Sequence, residues 1–158
     1  MKKKVYLLLV TVTALFILSG CFVIVPPEPL CRRELQFSWS MKELDEGYYS
    51  YNNAIAPYGI DTIEIKIEPI IAPSYGFEVW VMNYYQYLDF YYDGIVDGDV
   101  HHFTIYNEAK TLIINDPDPY ETYYVIIDNS DLGWVETDWD GVNDLVIFNA
   151  DVYFCILN

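Results

Sequence analysis

The sequence predicts an all-β protein: a single antiparallel β-sandwich of about eight or nine strands, jelly-roll or immunoglobulin-like in outline. Two observations support this prediction. Short segments of alternating apolar and polar residues recur along the chain, and turn-forming Asp, Asn, Gly and Pro separate them. Tyrosine, isoleucine and valine are abundant while alanine and arginine are scarce, which favours strands over helices.

The predicted strands share a short length and a high content of β-branched and aromatic residues. They are residues 35–39, 47–51, 60–68, 77–82, 101–106, 111–115, 123–127, 145–148 and 152–156. We find no convincing amphipathic helix, and only residues 41–46 suggest a helical turn.

The strands in the first half of the domain show the period of two most clearly. In residues 60–68, Ile63, Ile65 and Ile67 share one face and charged residues occupy the other, as expected for a half-buried strand. Residues 77–82 repeat the alternation, but their second face is largely apolar as well.

Turn signals organise the second half. Residues 107–110 predict a hairpin whose arms are residues 101–106 and 111–115. Residues 123–127 are apolar on both faces, which indicates a central strand. The last two predicted strands are either two arms around residues 149–151 or one long bent strand.

The N-terminus has a basic start at residues 2–4, an apolar run over residues 5–18 and the sequence Leu-Ser-Gly before Cys21. It resembles a bacterial lipoprotein signal peptide, whose pattern ends in a Leu-(Ser/Ala)-(Gly/Ala)-Cys lipobox. The resemblance implies that residues 1–20 are removed and that Cys21 carries a lipid. The alternative is an uncut anchor helix, because the apolar stretch reaches the roughly 20 residues that a span requires.

Either interpretation places the rest of the chain outside the cytoplasm, attached to the cell membrane or outer membrane. Residues 21–33 then form a lipidated, proline-rich tether that extends by about 3 Å per residue. Residues 34–158 have the length of one domain and contain no linker or repeat that would divide them.

The charge of the chain excludes one class of partner. Without the three signal lysines, 5 basic residues face 24 acidic residues, a net charge of −19. A polyanion repels phosphate backbones, so we expect no nucleic-acid binding.

Catalytic signals are lacking in the sequence, and we predict that the protein is not an enzyme. His101 and His102 are neighbours on a strand and point to opposite faces, one packed and one solvated, so they do not readily bind one metal together. No nucleophile elbow, zinc-binding His-Glu-x-x-His or phosphate-binding glycine loop occurs. Paired carboxylates of the glycosidase kind arise by chance among 24 acidic residues.

The cysteines after Cys21 allow two arrangements. Cys31 and Cys155 lie near the two ends of the domain, and in an oxidising compartment they form a disulfide that closes it. The alternative is a buried, unpaired Cys155 and a Cys31 in the mobile tether.

Clustered tyrosines suggest a binding surface. Exposed tyrosines beside the carboxylates of Asp89 and Asp93 are typical of surfaces that bind a protein or a polysaccharide. The alternative is that these residues cover the edges of the sandwich. The candidates are Tyr84, Tyr85, Tyr87, Tyr91 and Tyr92.

An acidic segment suggests a calcium site. Residues 138–144 resemble a fragment of the Asp-x-Asp-x-Asp-Gly calcium loops, which implies Asp138, Asp140 and Asp144 as ligands. Asp128 and Asp131 complete the site if the two loops meet. The alternative is a solvated acidic turn.

Residues 77–83 and 121–133 resemble two strands of small secreted β-sandwich modules of the pre-peptidase C-terminal type, which are mostly non-catalytic. We therefore expect a membrane-tethered lipoprotein whose β-sandwich has a binding or envelope-structural role with a protein partner. A carbohydrate-binding module is the alternative, and a hydrolase is the least favoured.

Overall fold

The computed structural model describes residues 31–94, 96, 99–132, 134, 140 and 142–157. These residues form eight strands and one helix. In chain order the elements are β1 (Cys31–Leu44), β2 (Tyr48–Ile55), β3 (Ile60–Ile71), β4 (Phe77–Met82), α1 (Tyr84–Asp93), β5 (His101–Ile105), β6 (Lys110–Asn115), β7 (Thr122–Asn129) and β8 (Val146–Leu157).

The strands form two four-stranded antiparallel sheets that pack face to face. Sheet A has the order β1-β8-β3-β6 and sheet B the order β2-β7-β4-β5. Every connection between consecutive strands crosses to the other sheet except the one from β4 to β5. This interleaved order is that of a jelly roll. The predicted β-sandwich is confirmed, with eight strands.

The main core lies between the sheets and follows the alternation seen in the sequence. Ile63, Ile65 and Ile67 of β3 are buried, and they belong to the same apolar cluster as Phe77 and Val79 of β4. Burial of an aliphatic or aromatic side chain of this size contributes about 1.5–3 kcal/mol. The predicted half-buried strand over residues 60–68 is therefore part of β3.

A second apolar layer covers the outer face of sheet B. Trp80, Met82 and Ile126 point away from the main core and pack against Tyr87 and Phe90 of α1. This contact explains why residues 77–82 and 123–127 are apolar on both faces. Their strands, β4 and β7, occupy the two central positions of sheet B, as predicted for residues 123–127.

Helix α1 contradicts the expectation of no convincing helix. Asn83 caps it: the side chain of Asn83 accepts from the backbone N–H of Gln86, and the Gln86 side chain accepts from the backbone N–H of Asn83. Gly94 ends it in the left-handed conformation at φ 63°. The capping box and the packing on Trp80 outweigh the modest helix propensity of tyrosine.

Two further predictions were wrong, both in how strands connect. Residues 101–106 and 111–115 are not hairpin arms, because β5 pairs with β4 and β6 pairs with β3. Residues 106–109 instead cross between the sheets, and a polar turn composition does not tell these two geometries apart. The suggested helical turn at 41–46 lies partly in strand β1. The pairing of β1 with β8 shifts its register around Met41, which has a φ of 48°. Of the two alternatives for the last two predicted strands, the structure shows the single long strand, β8.

A disulfide joins Cys31 of β1 to Cys155 of β8, with their Cα atoms 5.3 Å apart. The two strands are neighbours in sheet A, and Arg33 lies opposite Cys155. Residues 31–33, which we assigned to the tether, therefore belong to the domain. No helix within the described residues is both long and apolar enough to cross a membrane.

Candidate functional site

Exposed tyrosines of α1 and β2 lie side by side on the outer face of sheet B. Of the predicted residues, four are on the surface, with exposures from 43% for Tyr84 to 74% for Tyr92. Tyr51 of β2 is exposed next to them, and sequence reasoning did not connect it to the cluster. We call this group the tyrosine surface; it consists of Tyr51, Tyr84, Tyr85, Tyr91 and Tyr92.

Tyr87, the fifth predicted residue, is only 7% exposed and lies beneath the exposed rings, against which it packs. Its ring stacks on Tyr124 of β7 with centroids 3.9 Å apart and planes within 2° of parallel. The ring of Tyr51 lies 5.1 Å from that of Tyr87. Burial, reinforced by a hydrogen bond with Tyr51, raises the pKa of Tyr87 above its ordinary value.

The exposed rings do not form a flat platform. Tyr84 and Tyr85 meet at an interplanar angle of 68°, and Tyr91 and Tyr92 meet at 88°. Such edge-to-face pairs present hydroxyls and ring edges in several directions rather than one continuous ring face. The surface is therefore irregular, amphipathic and suited to interdigitation with other side chains.

A second cluster, buried beside the tyrosines, contains two carboxyl groups. Glu78 of β4 and Asp128 of β7 lie opposite each other in sheet B, and each is 1% exposed. The backbone N–H of Trp134 donates to both carboxylate oxygens of Glu78, at 2.9 and 3.1 Å. His102 Nε2 lies 2.5 Å from Glu78 Oε1.

The environment of Asp128 favours its neutral form. Oδ1 accepts from the hydroxyl and the backbone N–H of Ser130, at 2.6 and 3.1 Å, but Oδ2 has no hydrogen-bond partner among the described residues. Burial raises the pKa of Asp128 to about 7; the hydrogen bonds from Ser130 oppose the shift and the charge of Glu78 adds to it. This carboxyl therefore binds and releases a proton near neutral pH.

The predicted contrast between the two histidines is confirmed. His101 is exposed, whereas the ring of His102 packs 4.2 Å from Trp80 and 4.6 Å from Trp134. Burial lowers the pKa of His102. This shift favours the neutral imidazole, which shares a hydrogen bond between Nε2 and Oε1 of Glu78.

Sequence reasoning missed the carboxyl pair. The signal was present, because Glu78 interrupts an apolar strand and Asp128 directly follows the apolar run of residues 123–127. What the sequence does not specify is the pairing register that sets β4 beside β7.

The calcium set is only partly described. Asp138 lies outside the described residues, and Oδ1 of Asp140 accepts from the backbone N–H of Val142 at 2.8 Å. The described part of the chain contains no group of three or more His, Cys, Asp or Glu placed to hold a metal. The calcium site stays a prediction.

An open groove of about 360 Å³ lies on sheet A, whereas the tyrosine surface lies on sheet B. Its charged lining residues are Lys66, Glu68, Lys110 and Asp151. Both lysines and carboxylates line it, and aromatic residues do not contribute to its described lining. It therefore offers salt-dependent contacts but no stacking surface for a sugar.

No protein-family model matches this chain, and no curated protein shows significant similarity to it. The function is therefore argued from its own residues.

Proposed function

We propose that this chain is a lipid-anchored, extracytoplasmic binding domain that engages a protein partner through its tyrosine surface. The observation that carries the proposal is the exposure of five neighbouring tyrosines on a rigidly supported helix and strand. Tyrosine is enriched in protein interfaces because it contributes a large apolar contact area and a hydroxyl at little entropic cost.

The lipobox at Cys21 supports the anchor. Cys21 itself lies outside the described residues, and only residues 22–30 separate it from β1. An extended chain of that length reaches roughly 30 Å. The domain is thus held close to the membrane that carries the lipid.

The shape of the tyrosine surface favours a protein over a polysaccharide. Sugar rings stack on broad, accessible aromatic faces. The parallel, stacked pair here is Tyr87 and Tyr124, whose rings face each other rather than solvent. The exposed rings are tilted, which suits side chains that insert between them.

A carbohydrate-binding module is the second candidate. Tyr85 and Tyr92 are the most exposed rings of the tyrosine surface, and both lie on the helix that carries the exposed carboxylates of Asp89 and Asp93. A sugar that uses single rings and carboxylates would contact these residues.

Affinity purification from native membranes tests the binding role. The full lipoprotein should retain a specific protein, and the double variant Tyr85→Ala/Tyr92→Ala should lose most of it, because interface tyrosines contribute about 1–2 kcal/mol or more each. Tyr58→Ala/Tyr120→Ala is the matched control, since these two rings are also exposed and adjacent but lie outside the tyrosine surface.

Equal retention by the wild type and the Tyr85/Tyr92 variant would contradict the proposal. Binding to isolated polysaccharide, lost in the same variant and not in the control, would support the carbohydrate-binding module instead.

Metabolic labelling tests the anchor. Cys21→Ser should abolish incorporation of labelled fatty acid, because the lipid is attached to the thiol. Label that persists in this variant would overturn the lipid-anchor assignment.

A further inference from the structure

Strand β2 forms one edge of sheet B and has unusual properties for an edge. Among the described strands, β7 is its sole neighbour. The eight residue pairs between β2 and β7 run without a register shift. The sequence of β2, Tyr-Tyr-Ser-Tyr-Asn-Asn-Ala-Ile, contains no charged residue and no proline. Charges, prolines and bulges are the features that normally protect an edge strand from pairing with another chain.

The other three edges of the sandwich are protected. β1 carries several charged side chains and two register shifts. β5 is only 5 residues long, and β6 has 6 residues and begins with Lys110. β2 is therefore the edge of this fold that is best suited to accept another strand.

The backbone groups of β2 alternate between its neighbour and the free side. The N–H of Ala56 donates to the carbonyl of Glu121 at 2.8 Å, just beyond the end of β2. In an antiparallel ladder this pairing directs the backbone groups of Tyr49, Tyr51 and Ile55 away from β7. The N–H of Asn53 also points that way, and Oδ1 of Asn52 accepts from it at 2.9 Å.

The charges around β2 indicate what kind of strand it accepts. The domain is strongly acidic, and Asp89 and Asp93 are exposed on α1, beside the tyrosines. A second copy of the chain carries the same excess of acids, so electrostatic repulsion disfavours pairing of β2 with itself. Lysine and arginine side chains would find both carboxylates and tyrosine rings here. The molecule already uses this contact elsewhere, since the Arg33 guanidinium lies 3.6 Å from the ring centroid of Tyr153.

We propose that β2 binds an extended, lysine- or arginine-bearing segment of the partner protein as a fifth strand of sheet B. The proposal rests on the proposed function and specifies the mode of recognition. Backbone hydrogen bonds to Tyr49, Tyr51 and Ile55 provide affinity. Side chains on one face of the added strand lie next to Tyr51. Lysine or arginine side chains on that face point towards Asp89 and Asp93 of α1.

The test uses the full lipoprotein in detergent micelles and a short peptide of alternating lysine and threonine. A peptide of the same length with glutamate in place of lysine is the charge control. We expect the lysine peptide to bind and the glutamate peptide to fail. Hydrogen exchange at the amides of Tyr51 and Ile55 should slow by about tenfold or more when the lysine peptide is bound, because these amides become hydrogen-bonded.

Two variants at one position separate backbone pairing from side-chain contact. Ile55→Pro removes the outward N–H, and proline is tolerated at such a position on an edge strand. Ile55→Ala also removes most of the isoleucine side chain, as Ile55→Pro does, but it keeps the backbone N–H. Affinity for the lysine peptide should fall about tenfold in Ile55→Pro and change little in Ile55→Ala. The exchange measurement on the wild type does not depend on how well the proline variant folds.

Four outcomes would overturn the proposal. They are equal binding of the two peptides, binding without protection of Tyr51 and Ile55, protection that appears with self-association in the free protein, and protection already present in the free monomer. The third outcome would indicate a second copy as the occupant, and the fourth a segment of the chain itself. If any of these occurs while the Tyr85/Tyr92 variant still loses its native partner, the proposed function stands and strand addition fails.

Discussion

The carboxyl of Asp128 keeps its proton to a much higher pH than an ordinary aspartic acid does. It is buried beside Glu78 and close to Tyr49, and the nearest acid in sequence is Asp131. Desolvation disfavours the charged form, and no cation among the described residues compensates it.

The raised pKa makes stability depend on pH in a defined direction. Between pH 3.8 and about 7 the unfolded state has lost the Asp128 proton while the folded state keeps it. Stability from this group is thus fully present below the unfolded pKa and is lost as the pH rises through about 7. A shift of this size corresponds to roughly 4 kcal/mol.

Asp128→Asn should therefore stabilise the protein, by roughly 2–4 kcal/mol at about pH 8 and by little below about pH 4. Denaturant titrations of the variant and the wild type across this range give the difference. Asp89→Asn, on the exposed face of α1, is the control and should show a small difference. A gain for Asp128→Asn that does not vary with pH would contradict the assignment.

At the scale of elements, α1 decides whether the tyrosine surface exists. The helix has 10 residues, which is too short to be stable alone, so its cap and its contact with sheet B must hold it. The residues that do so are Asn83, Gln86, Tyr87 and Phe90.

Asn83→Ala should lower the free energy of unfolding by about 1 kcal/mol, because the N–H of Gln86 loses its acceptor. Hydrogen exchange should also become faster in α1 than in β7, since the helix opens locally before the sheet does. Asn107→Ala, at an exposed turn residue, serves as the control. Equal exchange in α1 of both variants would show that the cap does not hold the helix.

The sequence predicts strands better than it predicts their connections. The alternation of apolar and polar residues identified the strand that contains Ile63, Ile65 and Ile67, because a strand with one buried face has a period of two. It missed α1, where tyrosine gives no periodic signal and the local cues are the capping box of Asn83 and Gln86 and the terminating Gly94. It also assigned β5 and β6 to one hairpin, because the choice of sheet depends on partners distant in sequence. Four of the five predicted tyrosines are exposed, because they cluster in sequence. Tyr51 and the Glu78–Asp128 pair were not predicted, because strand pairing brings them together from distant parts of the chain.

At the scale of the whole molecule, the disulfide ties the first strand to the last. Cys31 and Cys155 are separated by 124 positions, so the bridge restricts nearly the entire unfolded chain. In the chain-entropy model such a loop contributes about 4–5 kcal/mol.

Replacing both cysteines, Cys31→Ala and Cys155→Ala, should lower the free energy of unfolding by up to about 4–5 kcal/mol. Guanidinium titration of the double variant checks this. Wild-type protein in reductant should lose a similar amount, while the double variant should not respond to reductant. An unchanged midpoint in both cases would mean that the bridge adds nothing to the pairing of β1 with β8.

The interleaved strand order also constrains when this protein can fold. β7 lies between β2 and β4, and β8 lies between β1 and β3, yet they are the last two strands along the chain. The ribosome delivers a chain from its N-terminus, as does the export machinery that a signal peptide engages. Until β7 and β8 have been delivered, strands β1 to β4 each lack a neighbouring strand with which they pair in the folded sheets. Their edges and apolar faces therefore stay exposed. We therefore expect the domain to complete its fold only after β8 has been delivered, and the nascent chain to be prone to aggregation until then.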